Sequence, residues 1–345
     1  MDSNKQYKSA IDVLRILSIL AVIGIHTTVR TLEISGYALQ KIPFTLFLNQ
    51  VFRFAVPLFF IISGFVLELS FNSNENYLTY LKKRLNRIFI PYVFWSVVYY
   101  FFVYSKNRNP NFLNSLLRGN SSYQLYFIPA LLIFYLIFPF IHKYIKIIGN
   151  FWVMIFLFLT QLVLLFYDYY IHPLQLFYPL TIVLLNYFLF ILGIILSRHY
   201  DLFIKFIYKW KLFLFFGSII SGCFVFYEGF SGYLKTHNYL TFYSQWRLSV
   251  LVYTIFIGGT LYYLFEKNIL NSFIVKTISK LSLFVFFIHV IILEVLWYLI
   301  GVKIFQLQFA QNLWWDPIYF SAVTSISFLI AYIAHRIPYL SKLTG

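Results

Sequence analysis

Ile11–His26 reads IDVLRILSILAVIGIH, an apolar segment that carries Asp12, Arg15 and His26. Charge inside an apolar span is costly, so such residues face a bundle interior or a watery path rather than lipid. The eleven helical steps from Arg15 to His26 make about three turns plus ~20°, which puts both on one face, about 16 Å apart along the axis. Asp12 lies three residues before Arg15, within pairing reach on the same side. The expectation is one polar stripe, running from near one membrane face to a histidine near the other. The plainer alternative is an interfacial ion pair at a helix start with a capped histidine at the opposite interface.

The surrounding composition fits a membrane setting. The chain of 345 residues is 61% hydrophobic, 23% aromatic and only 11% charged. Soluble domains average about 45–50% apolar and ~25% charged residues. Apolar runs near 20 residues recur along the chain, which predicts an all-α polytopic membrane protein. The net charge of +16 does not point to nucleic acid, because the basic residues fall in short loops between apolar runs. Cys223 is the single cysteine, which excludes a disulfide framework or cysteine metal site, and is expected in the core. The first segment has charges within it and no small-residue cleavage site after it, so it is expected to be a retained helix.

Ten spans are expected: 10–29, 52–70, 88–105, 123–141, 151–167, 178–197, 210–227, 248–265, 278–299 and 318–335. Residues 30–50 are expected to form a mixed loop, 72–80 a polar turn, and 81–90 a separate basic amphipathic stretch. With the N-terminus inside, inner segments carry roughly twice the Lys and Arg of outer ones, which predicts both termini cytoplasmic. No internal repeat or soluble domain is visible, and 1–345 is expected to be a single transmembrane domain.

Four further stretches stand out. Leu81–Tyr92, LKKRLNRIFIPY, gathers Lys82, Lys83, Arg84 and Arg87, with the two arginines on one helix face. Such a cluster is either an anchor touching anionic lipid or a site for the phosphates of coenzyme A, since arginine grips phosphate in a two-pronged fork. Ile61–Phe65, IISGF, holds Ser63 and Gly64, a small pair that allows close helix packing. Tyr126–Pro139, YFIPALLIFYLIFP, is aromatic-rich, and an aromatic belt explains it equally well. Ser279–His289, SKLSLFVFFIH, places His289 in mid-span with Ser282 before it. An intramembrane histidine needs a partner or a watery cavity. Glu294, five residues on, is not expected to share its face. His142, His172, His199, His237 and His335 are expected at loops or helix ends, where water satisfies them. Asp168, Glu228 and Asp316 are read as solvated carboxylates at outer ends. No metal-ligand cluster and no phosphate-binding loop is present.

Asp12-x-x-Arg15 followed by His26, then Arg84-x-x-Arg87 before Pro91, resembles the integral-membrane acyltransferase-3 family, which O-acylates cell-envelope sugars. Ser63-Gly64, the aromatic helix from Tyr126 and Ser279–His289 are similar to softer family features, although the family often has Trp where this chain has Tyr126. The resemblance covers nearly the whole chain in order. It implies a transmembrane acyltransferase domain over 1–345 in a bacterial cytoplasmic membrane, without the extracellular hydrolase-like domain some members carry. An acyl group, most often acetyl, would pass from cytoplasmic acyl-CoA to a hydroxyl of a surface glycan. His26 would be general base or acyl carrier, aided by Arg15 and Asp12. Lys83, Arg84 and Arg87 would hold the CoA phosphates. His289, Ser63, Tyr126 and Ser282 would line a substrate cavity. Acetyl-CoA would be a donor substrate rather than a resident cofactor, and the expected partners are acyl-CoA, the glycan and membrane lipid. A polysaccharide exporter or flippase, with Arg15 and His26 lining a sugar-phosphate path, is the alternative. A different membrane acyltransferase class, with His289 as its catalytic histidine, is a third.

Overall fold

The computed structural model describes residues 3–34, 43–72, 74–104, 111–237, 239–267, 272–301 and 314–341. These residues are overwhelmingly helical and include no strand. Helices α1 (Ser3–Ile34) and α2 (Pro43–Val51) lead through a 3₁₀ turn at Phe52–Phe54 into α3 (Ala55–Ser70). Next come α4 (Tyr77–Val98), a π-helical turn at Tyr99–Val103, α5 (Phe112–Arg118), α6 (Phe127–Lys143), α7 (Ile145–Ile148) and α8 (Phe151–Phe166). After a second π turn, α9 (Tyr178–Leu184) and α10 (Tyr187–Arg198) meet at a bend of 51°. The chain continues through α11 (Tyr200–Lys209), α12 (Lys211–Thr236), α13 (Tyr239–Tyr243), α14 (Leu248–Lys267), α15 (Ser272–Leu296), α16 (Trp315–Arg336) and α17 (Pro338–Ser341).

Eight helical stretches among the described residues are long and apolar enough to cross a membrane. They are Ser9–Glu33, Pro43–Ser70, Tyr77–Val103, Phe151–Ile171, Lys211–Thr236, Leu240–Glu266, Phe273–Leu299 and Trp315–Arg336. The bent pair α9–α10 makes a ninth if it crosses as one, and α6 is a further apolar helix of 17 residues. The protein is therefore an all-α polytopic membrane protein. Only 11% of the apolar window of α8 is buried, and Trp152, Phe156 and Val163 point outward, as suits a helix bathed in hydrocarbon.

Several boundaries differ from expectation, each for a local reason. The loop expected over 30–50 is partly helical: α1 reaches Ile34, and α2 occupies Pro43–Val51. Residues 35–42 lie outside the described residues. The hydroxyls near the end of α1 are satisfied within the helix. Thr27 donates to the Ile23 carbonyl at 3.1 Å and Thr28 to that of Gly24 at 2.7 Å. The polar turn, the basic stretch and the third span are not separate elements. Asn76 caps Leu78 N–H at 2.9 Å, α4 starts at Tyr77, and Pro91 sits inside the helix. The sixth span is broken: Asn186 at the bend donates to the Ile182 carbonyl at 2.8 Å. Cys223 is exposed rather than in the core, because α12 buries the face that carries Ser218, Ser221 and Val225.

The expected solvated side chains are corrected too. Asp316 is buried and accepts from Thr31 at 2.6 Å and Thr45 at 2.5 Å. Glu228 is buried and accepts from Ser249, and half-buried Asp168 accepts from Leu174 N–H at 2.9 Å. His142 is not left to water: its Nδ1 lies 2.8 Å from the Glu68 carboxylate. A buried polar group must be paired, and the pairs of Asp316, Glu228 and His142 cross between helices, where a single sequence gives no sign of them.

Contacts group the chain into two compact units, one comprising residues up to Leu58 with Ile207–Leu340, the other Phe59–Phe206. In the first, α1 packs on α2, α14, α15 and α16, while α12 packs on α14. In the second, α6 packs on α4 and α9, and α8 on α10. There the small pair behaves as expected. A Cβ on Gly64 would lie 2.0 Å from the Phe190 carbonyl oxygen, and one on Gly193 would lie 2.0 Å from that of Ile61. The two backbones touch where neither helix carries a side chain, as small residues permit in membranes.

Candidate active site

The polar residues of α1 meet those of α15 in three successive rungs. At the first, Arg15 donates to Asp12 at 3.2 Å and to Ser279 at 3.0 Å, and Ser279 donates to Asp12 at 2.7 Å. At the second, the imidazoles of His26 and His289 stack, with centroids 5.4 Å apart and planes 29° from parallel. At the third, Arg30 pairs with Glu294 and holds Glu33 at 2.6 Å. Partner numbers rise together, with an offset of 264 at both end rungs, so the two helices run parallel. The stripe expected on one helix is thus half of a strip shared by two. His289 and Glu294, which were not expected to share a face, both turn toward α1, at adjacent rungs.

The histidines differ in access. His289 is wholly buried; its Nδ1 lies 3.1 Å from the Val285 carbonyl, and its Nε2 has no hydrogen-bond partner among the described residues. His26 is only partly covered. Ser282, two turns before His289, is buried, and its hydroxyl has no partner among the described residues. Unsatisfied buried polar groups are rare enough in native folds to need an explanation.

A buried network supports this half of α1. Asn49 donates to Thr28 at 2.8 Å and accepts from Arg53, which also donates to the Tyr243 carbonyl at 2.5 Å. Gln50 donates to Asn49 at 3.2 Å. Arg247, with no exposed surface, donates to Gln50 at 2.5 Å and to the Val225 and Ser244 carbonyls at 2.9 Å. Gly229 makes room for it: a Cβ there would lie 2.3 Å from the guanidinium. Arg53 is buried in this interior.

In the second unit the basic cluster sits at the start of α4. Arg84 donates to Ser70 at 2.9 Å and lies over the Tyr80 ring at 5.6 Å. Lys83 pairs with Glu75, and Arg87 is exposed. Beside them is a cavity of about 380 Å³ walled by Phe71, Tyr77, Tyr80, His142 and Lys143. Ser63 is half-buried next to Gly64, and Tyr126 is half-buried with its ring 6.0 Å from that of Tyr178. Of the expected site residues, Asp12, Arg15, His26, Ser282 and His289 belong to the first unit; Ser63, Lys83, Arg84, Arg87 and Tyr126 belong to the second. No group of three or more His, Cys, Asp or Glu that could hold a metal ion occurs among the described residues.

A family model described as an acyltransferase domain matches residues 8–332. The chain belongs to the acyltransferase-3 family. Comparison with curated proteins and with solved structures gives no match. Membership makes the protein a membrane acyltransferase and sets the transport alternative aside. Within this acyltransferase, sequence reasoning missed Ser279 as the bridge of the first rung, and the rung of Arg30 with Glu294. A signal was present: Arg30 lies one turn past His26, just as Glu294 lies just over one turn past His289.

Proposed function

We propose that the protein is an O-acyltransferase of the cytoplasmic membrane of a bacterium, moving an acetyl or similar acyl group from acyl-CoA to a hydroxyl of an envelope glycan. The observation that carries the reading is the stacked His26–His289 pair, which leaves one buried imidazole nitrogen unsatisfied and the other ring partly open. His26 takes the proton of the acceptor hydroxyl as its oxygen attacks the thioester carbonyl. The C–S bond breaks, CoA leaves as thiolate, and the proton returns to the sulfur. Arg15, held by Asp12 and Ser279 about 16 Å along α1 from His26, does not touch the reacting carbonyl and instead keeps α1 aligned on α15. Lys83, Arg84 and Arg87 bind the phosphates of CoA, and the aromatic walls beside them suit its base.

The parallel course of α1 and α15 limits the count to eight or ten crossings. Parallel spans are separated by an odd number of others. Five of the candidate spans lie between them, so α6 and the α9–α10 pair cross together or not at all. We take both to cross, which returns the C-terminus to the cytoplasmic side with the N-terminus, in keeping with the basic inner loops.

The test is transfer of labelled acetyl from acetyl-CoA to envelope glycan in membranes that express wild type or His26→Ala, with insertion checked for both. Labelled glycan with wild type and none with His26→Ala is the expected result. Equal labelling by both would overturn the role of His26.

A further inference from the structure

The third rung sits one helical turn beyond the histidines, about 6 Å further along α1. Its side chains are accessible: those of Arg30 and Glu294 are each 23% exposed and Val295 beside them is exposed, while Thr27, Thr31 and Leu293 are wholly buried. It is also held in place from outside. Tyr319 donates to the Leu293 carbonyl at 2.9 Å, next to Glu294. Each carboxylate oxygen of Asp316 accepts one bond, from Thr31 and Thr45, and Trp315 donates to Thr31 at 3.1 Å. Trp297, three residues past Glu294, is half-buried with its ring 6.3 Å from that of Tyr319.

The lone pairs of a carboxylate that its arginine partner leaves open accept hydroxyl hydrogens. A partly exposed tryptophan ring three residues from a carboxylate offers a sugar an apolar face and a hydrogen-bond acceptor together. We propose that Glu294, set by Arg30 and flanked by Trp297, is a binding site for hydroxyl groups of the sugar acceptor, holding one ring hydroxyl while another reaches His26. The proposal rests on the acyltransferase reading of the histidine pair. It makes Glu294 a specificity-determining residue that touches the acceptor and not the donor. It also gives the outer rung a role distinct from the first, where Asp12 and Arg15 are both bridged by Ser279.

The experiment uses the full chain in lipid nanodiscs, with acetyl-CoA as donor and methyl glucoside, methyl galactoside and methyl N-acetylglucosaminide as acceptor probes. Release of CoA without acceptor is followed in parallel. A hydrogen bond to a charged group contributes enough that Glu294→Gln should raise the acceptor KM about tenfold or more. The donor KM and acceptor-free CoA release should stay at the wild-type level, and Glu294→Asp should recover part of the acceptor affinity. If Glu294→Gln lowers kcat with both KM values unchanged, or raises both together, the ion pair only joins helices and the proposal fails. If wild type releases CoA but acetylates none of the three sugars, the sugar site is wrong while the acyltransferase stands. If wild type does not consume acetyl-CoA at all, the parent reading falls instead.

Discussion

The strip between α1 and α15 and the basic start of α4 are both clusters of charge in an apolar chain, yet they are built on opposite terms. In the strip, Asp12, Arg15 and Ser279 bond one another in a three-membered set, and His289 is wholly buried. At α4, Arg87 is exposed, Lys83 is 68% exposed despite its ion pair, and Arg84 is held by Ser70 and the Tyr80 ring. Burial makes the position of a polar group a matter of its partners; exposure leaves it free to take a ligand. Substitutions should therefore hurt the strip through chemistry and geometry, and the α4 cluster through affinity alone.

The largest expected effect is at the histidines. His26→Ala should lower acyl transfer by about 10²- to 10⁴-fold, the usual contribution of a general base, with the chain still inserted and folded. Transfer assays alongside a thermal unfolding curve would check it. Activity within a few-fold of wild type would move the chemistry elsewhere in the strip.

Next comes packing in the second unit. Gly193→Leu must push α10 off the Ile61 carbonyl, since even a Cβ would lie 2.0 Å from it. Overpacking a close contact costs about 1–3 kcal/mol or more, so the midpoint of thermal unfolding should fall by several degrees. An unchanged midpoint would mean that the helices do not meet through their glycines.

A smaller effect separates the rungs. Ser279→Ala removes the hydroxyl that accepts from Arg15 and donates to Asp12. The direct Arg15–Asp12 bond survives, so the loss should be about 1 kcal/mol of stability, with a modest fall in kcal-sensitive measures such as the unfolding midpoint. Asp12→Asn should cost more than Ser279→Ala, because it leaves Arg15 without its carboxylate. Equal effects would show that the serine, not the charge, carries the rung.

How far sequence alone could go follows from the same contrast. Periodicity within one helix is local, so the shared face of Asp12, Arg15 and His26 was legible, as was the small face around Gly64. The facing partner was not: Ser279 and Glu294 lie 264 residues away from theirs, and no local pattern joins them. Asp316 and Glu228 were misread for a related cause. Near the end of an apolar run a carboxylate normally meets water, and only the folded chain brings Thr31, Thr45 and Ser249 to them. The chemistry of the basic stretch was the hardest to read, because lipid headgroups and CoA phosphates attract arginine by the same charge.

The smallest effect is therefore the most discriminating. Arg84→Lys keeps the positive charge and removes the planar fork that matches phosphate. Its side chain is half-exposed, so stability should change by less than about 0.5 kcal/mol, as for most surface substitutions. If Arg84 binds the phosphates of the donor, the KM for acetyl-CoA should rise several-fold with kcat and acceptor KM unchanged, and Arg87→Lys should act in the same direction. A lipid anchor would respond differently: an ammonium serves it as well as a guanidinium, so neither kinetic constant would move. A rise in donor KM that vanished in membranes without anionic lipid would assign the arginine to the headgroups and leave the CoA phosphates to the other basic residues of α4.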